Sequence, residues 1–511
     1  MNNTVIIIGG GLGGLFTGAF LAKDGYLVTV IEKNKTIGGG LQTFERYGHV
    51  FETGMHILGG FRPGGSLDKM CEYLGIRRDL SIKAMDNDCI DTVTYLSDNT
   101  TYRIPEGRDA FVKYLQGQFP HENANIERYV EKIYSIANEV DFFYLRKGNN
   151  SIFAHSEEFM WPADELISHY IGDPRLQDLL GFINPMYGGV KGHTPAYIHA
   201  LITVLHLDGA DRFVGGSLQL AEALARVIEE NGGSIVSDEE VVKVHVGSAR
   251  DRKLVEEVIT NKGKTYKGDC YVSSIHPCTL LDKIDEHAFT KSFRERLRSV
   301  PNTYSSFGIY ISFKPNSFPY INHTCYFQDD YGIVWNHGDY DAASWPRGFM
   351  YMTPPDHDSD SKFASRMVVN CIMSYDVVKK WSDSAPMKRG QEYDAWKLEH
   401  VKKVLAKLEL LHPGIGQMIE HITASSPLTI RDYYSVKEGA LYGFRRDCKN
   451  IALSQLSVFS KVKNLFFTGQ CVNLHGICGV PLTAINTVEA ITANPDFIDK
   501  INNHYNTLNK S

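Results

Sequence analysis

An α/β fold is predicted by three observations. The run Val5-Ile6-Ile7-Ile8 is β-branched throughout and leads straight into Gly9, Gly11 and Gly14, then into the helical pattern of Leu15, Ala19 and Ala22. A second strand-like run, residues 27–31, ends at Glu32, 18 residues past Gly14. Further along, Tyr271-Val272-Ser273-Ser274-Ile275 reads as another strand suited to a parallel sheet. Strands buried on both faces are apolar without alternation, and helices on both sides of a parallel sheet bury them that way.

Each position in the opening unit has a physical task. Gly9 permits the tight turn between strand and helix. Gly11, having no Cβ, lets a pyrophosphate approach the backbone. Gly14 lets the helix pack closely on the strand. The helix start offers unpaired N–H groups and a partial positive charge to phosphates. Glu32 stands where a carboxylate accepts hydrogen bonds from ribose hydroxyls, and its charge disfavours a ribose phosphate. Strand, glycine turn, helix and acidic tip together make a Rossmann-like dinucleotide-binding unit. We expect Glu32 to be a surface-tip carboxylate that carries little packing.

At 511 residues and 43% hydrophobic, the chain is long enough for more than one domain. Its formal charge of −7, with both signs mixed and no basic block, argues against a nucleic-acid partner. Nine scattered cysteines without a CxxC pair point away from a disulfide framework and towards a reducing compartment. Residues 5–22 are uncharged but contain six glycines and no basic lead, so they read as strand, turn and helix rather than as a signal or a span. A cytoplasmic location is expected. Peripheral contact with a membrane stays open, and no motif encodes an oligomeric state.

A second glycine cluster, Gly38-Gly39-Gly40, follows Glu32 and resembles the extended motif of the two-dinucleotide-binding flavoproteins. Four further segments sharpen the resemblance: Gly48-His49-Val50-Phe51-Glu52-Thr53-Gly54-Met55-His56; Gly189 to Ala200, continuing to Val214-Gly215-Gly216-Ser217; Ser426-Pro427 onward to Gly439-Ala440-Leu441-Tyr442-Gly443; and Asn464-Leu465-Phe466-Phe467-Thr468-Gly469-Gln470, running to Gly476 and Gly479. In this order they resemble the FAD-dependent retinol saturase, carotenoid isomerase and phytoene desaturase family, with the retinol saturase branch nearest. The resemblance implies FAD as cofactor, held by Gly9, Gly11, Gly14, Glu32, Gly38, Gly39, Gly469, Gln470 and Gly479. It also implies a strand near Val242 covering the adenine. Gln470 stands where the family often has an acidic residue. A discontinuous cofactor domain (residues 1–75, 214–285 and 431–511) would carry an inserted α+β substrate domain (76–213 and 286–430). An apolar helix over residues 482–491 would point its start at the flavin.

His56, between glycine turns, is a candidate proton donor or flavin-facing group, and equally a loop histidine. Tyr442 and Tyr434 are candidates for the substrate channel or for a domain interface. His199 and His206, seven residues apart, share one helical face and read as partly buried helix histidines. Cys471, His475 and Cys478 hint at metal spacing, but a closed zinc site needs four ligands, so no metal is assigned. The aromatic stretches at 142–144, 159–161 and 318–327 suit an apolar tunnel. These readings point to an oxidoreductase that saturates, desaturates or isomerises a carbon–carbon double bond in a lipophilic, polyene-like substrate. Two rivals use the same fold: an amine-oxidase-type flavoprotein, and a non-catalytic FAD-binding lipid escort.

Overall fold

The computed structural model describes residues 3–148, 155–249, 252–357 and 361–508. At its centre is a five-stranded, wholly parallel sheet in the order Ser234–Val236, Leu27–Ile31, Thr4–Ile8, Cys270–Ser273 and Leu465–Phe467. The strands come from widely separated parts of the chain. Successive side chains point to opposite faces. Val5 and Ile7 join the core beneath helices Leu12–Lys23, Leu218–Glu230 and Gly476–Thr492. Ile6 and Ile8 join a second core beneath an antiparallel sheet of Val241–Ala249, Arg252–Thr260 and Thr265–Tyr266.

A seven-stranded, mixed sheet forms the other half of the molecule. Its order is Ile419–Ser425, Ser305–Phe313, Arg366–Met373, Gly348–Met352, Thr324–Gln328, Asp91–Tyr95 and Thr100–Ile104. One face carries Phe307, Phe327, Phe349 and Cys371, packed on the long helix Gln391–Leu411 through Val401, Val404 and Leu408. Phe318 and Phe327 therefore belong to this core rather than to the walls of an apolar tunnel. The opposite face looks towards helix Ala196–Leu207 and the parallel sheet. A small sheet links the halves, pairing Ile57–Gly59 and Ile82–Ala84 with Ala210–Phe213. Among the described residues no single helix is long and apolar enough to cross a membrane.

The helix that follows the carboxy-terminal glycine motif, Gly476–Thr492, differs from expectation. It begins at Gly476, not near 482, and Pro481 lies inside it. Pro481, the sixth helical residue, gives up the intrahelical hydrogen bond its position would make to Ile477. His475 is the capping residue, and Gly479 lies in the second turn, its missing Cβ leaving room for Leu474.

Candidate functional site

The first cleft lies at the carboxyl ends of the parallel strands, where open α/β sheets place ligands. Gly9, Gly11, Glu32, Gly39, Val241 and Gln470 are among its walls. Gly9 has φ +102°, the left-handed region that glycine tolerates. Gly14 packs as the sequence requires: a Cβ there would sit 2.1 Å from the Gly9 carbonyl oxygen. Gly11 has ordinary φ, and a Cβ on it would meet only the Gly39 Cα at 4.0 Å, so the position faces open cleft. The helix that starts here has no side-chain cap and no acidic residue in its first turn, which leaves its positive end for a ligand.

The second glycine turn closes on the first. Gly38 N–H donates to the Gly10 carbonyl at 2.7 Å, and Gly38 itself adopts φ +105°. Gly39 is so near Gly11 that a Cβ on it would stand 3.1 Å from the Gly11 Cα. The carboxy-terminal motif completes the cradle from more than four hundred residues away: a Cβ on Gly13 would fall 2.9 Å from the Gly469 Cα, and the Thr17 and Thr468 hydroxyls are 3.0 Å apart.

Two expectations need correction here. Glu32 is not a surface-tip carboxylate. It is 6% exposed and accepts hydrogen bonds from Gly10 N–H and Asn34 N–H, each at 2.8 Å, so it ties the first glycine turn to the segment that leaves its own strand. Burial raises its pKa, partly offset by these bonds. Val242 does not cover the cleft; it is 42% exposed, and Val241 is the wall residue. The cause is a β-bulge: Val241 pairs with Thr260 and Lys243 with Ile259, leaving Val242 as the extra residue turned outward.

A second cavity, of about 220 Å³, adjoins the cleft, and Tyr434 lines both. Its walls are mostly apolar: Met55, Ile57, Leu201, Leu205, Met350 and Ile372. Phe143, from the first aromatic stretch, also lines it, and among the described residues no aspartate or glutamate does. His56, Tyr442 and Gly479, three of the residues singled out from sequence, are brought together on this chamber.

The setting of His56 fixes its chemistry. Ser217 Oγ donates to the Leu41 carbonyl at 3.1 Å, so its lone pairs are left for His56 Nδ1–H at 2.9 Å. Glu52, buried, stands 3.1 Å from the same Nδ1 and accepts Ser217 N–H at 3.0 Å. Nδ1 thus carries the proton, and Nε2 is left free towards the chamber. Tyr442 donates its hydroxyl to the Pro185 carbonyl at 2.9 Å, and burial pushes its pKa well up. It holds its proton and shapes the wall.

The remaining candidates separate. His199 is fully buried between the Tyr129 and Tyr187 hydroxyls at 2.7 and 2.9 Å, and burial pushes its pKa down to about 4. It is a core residue. His206 lines the chamber instead. His475, read as one part of a doubtful metal triad, also lines the chamber at the helix start; burial and the nearby Arg446 push its pKa down to about 3. Sequence reading missed Glu52 with Ser217 and His206 with Asp91 as pairs, because partners 165 and 115 residues apart leave no local pattern.

Residues 7–74 match the NAD(P)-binding Rossmann-like domain family. The chain is 24% identical to all-trans-retinol 13,14-reductase of Macaca fascicularis, over 95% of this chain and 85% of that one. It is 22% identical to the chloroplastic prolycopene isomerase 2 of an Oncidium hybrid cultivar, over 97% and 84% of the two chains. Its fold is similar to that of putrescine oxidase bound to putrescine, with a TM-score of 0.66 at 14% identity over 97% of this chain and all of the other. The cleft and fold are those of a protein that takes a flavin or nicotinamide nucleotide. Motif order, fold and end-to-end similarity agree: along nearly its whole length the chain is similar to retinol reductases and carotenoid isomerases.

Proposed function

We propose that this chain is an FAD-dependent oxidoreductase that saturates, desaturates or isomerises a carbon–carbon double bond of a lipophilic polyene. The observation that carries the proposal is the apolar chamber joined at Tyr434 to a nucleotide cleft, with the free His56 Nε2 on its wall. The residues fit FAD. Gly11 and the uncapped helix start would hold the pyrophosphate, Glu32 the adenosine ribose, and Val241 the adenine. Gly469 and Gln470 would hold the ribityl end. Bound FAD would supply acceptance or donation of a hydride. The chain's own contribution is orientation, exclusion of water by the apolar walls, and a proton held at or taken from His56 Nε2. The names of the relatives, a retinol reductase and a prolycopene isomerase, support a polyene.

Amine oxidation fits less well, since among the described residues no carboxylate lines the chamber to receive an ammonium group. The test is purification followed by anaerobic photoreduction. Stoichiometric flavin absorbance, and flavin reoxidation by a conjugated polyene, are expected; a colourless protein that takes up no added FAD refutes the proposal. Peripheral contact with a lipid surface belongs to the same reading. A larger open groove of about 980 Å³ shares Leu474 with the chamber, and Phe459 on it is 59% exposed, two residues from exposed Lys461. Sedimentation with anionic vesicles that Phe459→Ser abolishes would support this contact, and equal sedimentation of both proteins would refute it.

A further inference from the structure

Arg446 is 5% exposed, yet among the described residues no carboxylate lies within ion-pair distance of it. Asp447, the next residue, approaches Arg445 at 3.9 Å and His193 at 3.0 Å instead. The Arg446 guanidinium donates to backbone carbonyls: to Ser454, to Gln470 at 3.0 Å and to Asn473 at 2.5 Å. Carbonyl dipoles solvate a buried cation but leave its net charge in place, and burial accordingly pushes its pKa down. The segment it holds runs into helix Gly476–Thr492, which has no side-chain cap and no acidic residue in its first turn, so the positive end of the helix adds to the guanidinium. His475, between them, stays neutral near pH 7. Segment 470–476 is also the partition of the site: Gln470 and Cys471 line the nucleotide cleft, and Leu474, His475 and Gly476 line the chamber. A cofactor in the cleft that exchanges hydride with a ligand in the chamber must bring its reactive ring to this partition.

We infer that Arg446 is a positioning residue for the redox step: its buried charge, behind segment 470–476, favours the anionic reduced form of a flavin ring at the partition. The inference rests on the FAD reading above and adds to it what sets the potential. A hydride taken from a substrate C–H bond brings two electrons and one proton to a neutral ring, which then holds one net negative charge. The C–H electron pair leaves with the hydride, and the neighbouring proton of the substrate goes to His56 Nε2. A fixed positive charge in a water-poor site stabilises that anion and removes the need for a second proton on the ring. Arg446 acts without touching the ring, because its hydrogen bonds go to the backbone. By binding the Gln470 and Asn473 carbonyl oxygens it also offsets their negative ends.

The experiment uses the flavin-loaded protein and two readouts. One is the two-electron midpoint potential by anaerobic dye equilibration; the other is affinity for sulfite, which adds to oxidised flavin and leaves a negative charge on the ring. Arg446→Met, similar in length but uncharged, should bind sulfite about tenfold more weakly, and a tenfold weaker preference for the reduced anion lowers the potential by about 30 mV. Arg446→Lys keeps the charge without the planar fork and should recover most of both. A residue that only held the loop would be missed equally in the two variants. Arg446→Met equal to wild type in both readouts at full flavin content overturns the inference and spares the FAD reading, and so does Arg446→Lys no better than Arg446→Met. A wild-type protein that takes up no FAD removes both readings. If neither variant folds, the wild type decides. Between about pH 5 and 6 its reduction should take up one proton, a midpoint slope of about 30 mV per pH unit, where free FAD measured alongside takes up two; a slope equal to that of free FAD overturns the inference.

Discussion

Gly11 and Gly14 lie three residues apart, and substitutions at them should fail in different ways. A Cβ on Gly14 would overlap the Gly9 carbonyl oxygen at 2.1 Å and crowd Ile7 at 3.2 Å. Gly9 cannot retreat, because it is held at φ +102° with Ile275 behind it. Gly14→Ala therefore forces the helix off the strand, an overpacking cost of about 3 kcal/mol or more against a total stability of about 5–15 kcal/mol. At about 2 °C per kcal/mol for a large domain, melting should fall by about 6 °C. A Cβ on Gly11 meets only the Gly39 Cα, at 4.0 Å, without overlap, and needs no change of φ. Gly11→Val should fold, yet occupy the space a pyrophosphate needs. The assay is flavin absorbance per mole of chain, together with melting of the cofactor-free forms, since a bound cofactor itself raises the melting temperature. The expected result for Gly11→Val is flavin content below about a tenth of wild type with an unchanged cofactor-free melt. Full flavin occupancy in Gly11→Val would refute the placement of the phosphate cradle; an unchanged melt in Gly14→Ala would refute the packing argument.

Further outcomes follow from other residues. Glu32→Ala should weaken flavin binding and also lower stability by about 1–3 kcal/mol in urea titration, because Gly10 and Asn34 lose a buried acceptor, whereas Glu32→Gln should lose less. His56→Gln should lower turnover by about 10²-fold or more at unchanged flavin content, the range for a lost proton-transfer group; turnover within a factor of two of wild type would remove His56 from the chemistry. His199, His276 and His475 are pushed by burial down to about 4, 4 and 3. The folded state then binds fewer protons than the unfolded one between those values and the ordinary histidine range. Their contribution to stability is complete above pH ~6.5 and is lost as pH falls towards ~4; flat urea midpoints across that window would contradict the burial argument. Among the described residues only one strand–glycine turn–helix unit of dinucleotide type is present, at the amino terminus. Stopped-flow mixing with NADH or NADPH should therefore give no saturable flavin reduction, and rapid saturable bleaching by either would prove that expectation wrong.

What the sequence made legible was what is local. Gly9, Gly11, Gly14 and Glu32 lie within one strand–helix–strand unit, where spacing alone sets their geometry. Helix Leu218–Glu230 likewise follows from its own apolar periodicity behind Gly215-Gly216. Val242 was misplaced by one residue because a bulge interrupts strict alternation and no residue type announces it. The start of helix Gly476–Thr492 was read too late because Pro481 looks like a helix beginning, although the chain admits it inside the helix. Glu32 was taken for an exposed tip because its burial and its Gly10 N–H partner exist only once its strand has paired with the first strand. The His206–Asp91 and Ser217–Glu52 pairs depend on how two sheets are set together, which no local pattern records.

The seven-stranded sheet divides its labour by parity. On the strand Ser305–Phe313, Ser306 faces the chamber and Phe307 the core; on Gly348–Met352, Met350 and Phe349 do the same; on Arg366–Met373, Asn370 and Ile372 alternate with Cys371. Ser306, Met350, Asn370 and Ile372 therefore face the chamber, while their neighbours pack towards the helix Gln391–Leu411. Substitutions at these four positions change the chamber wall without touching the side chains that hold that helix. A scaffold wired this way separates the shape of its cavity from the packing that keeps it folded.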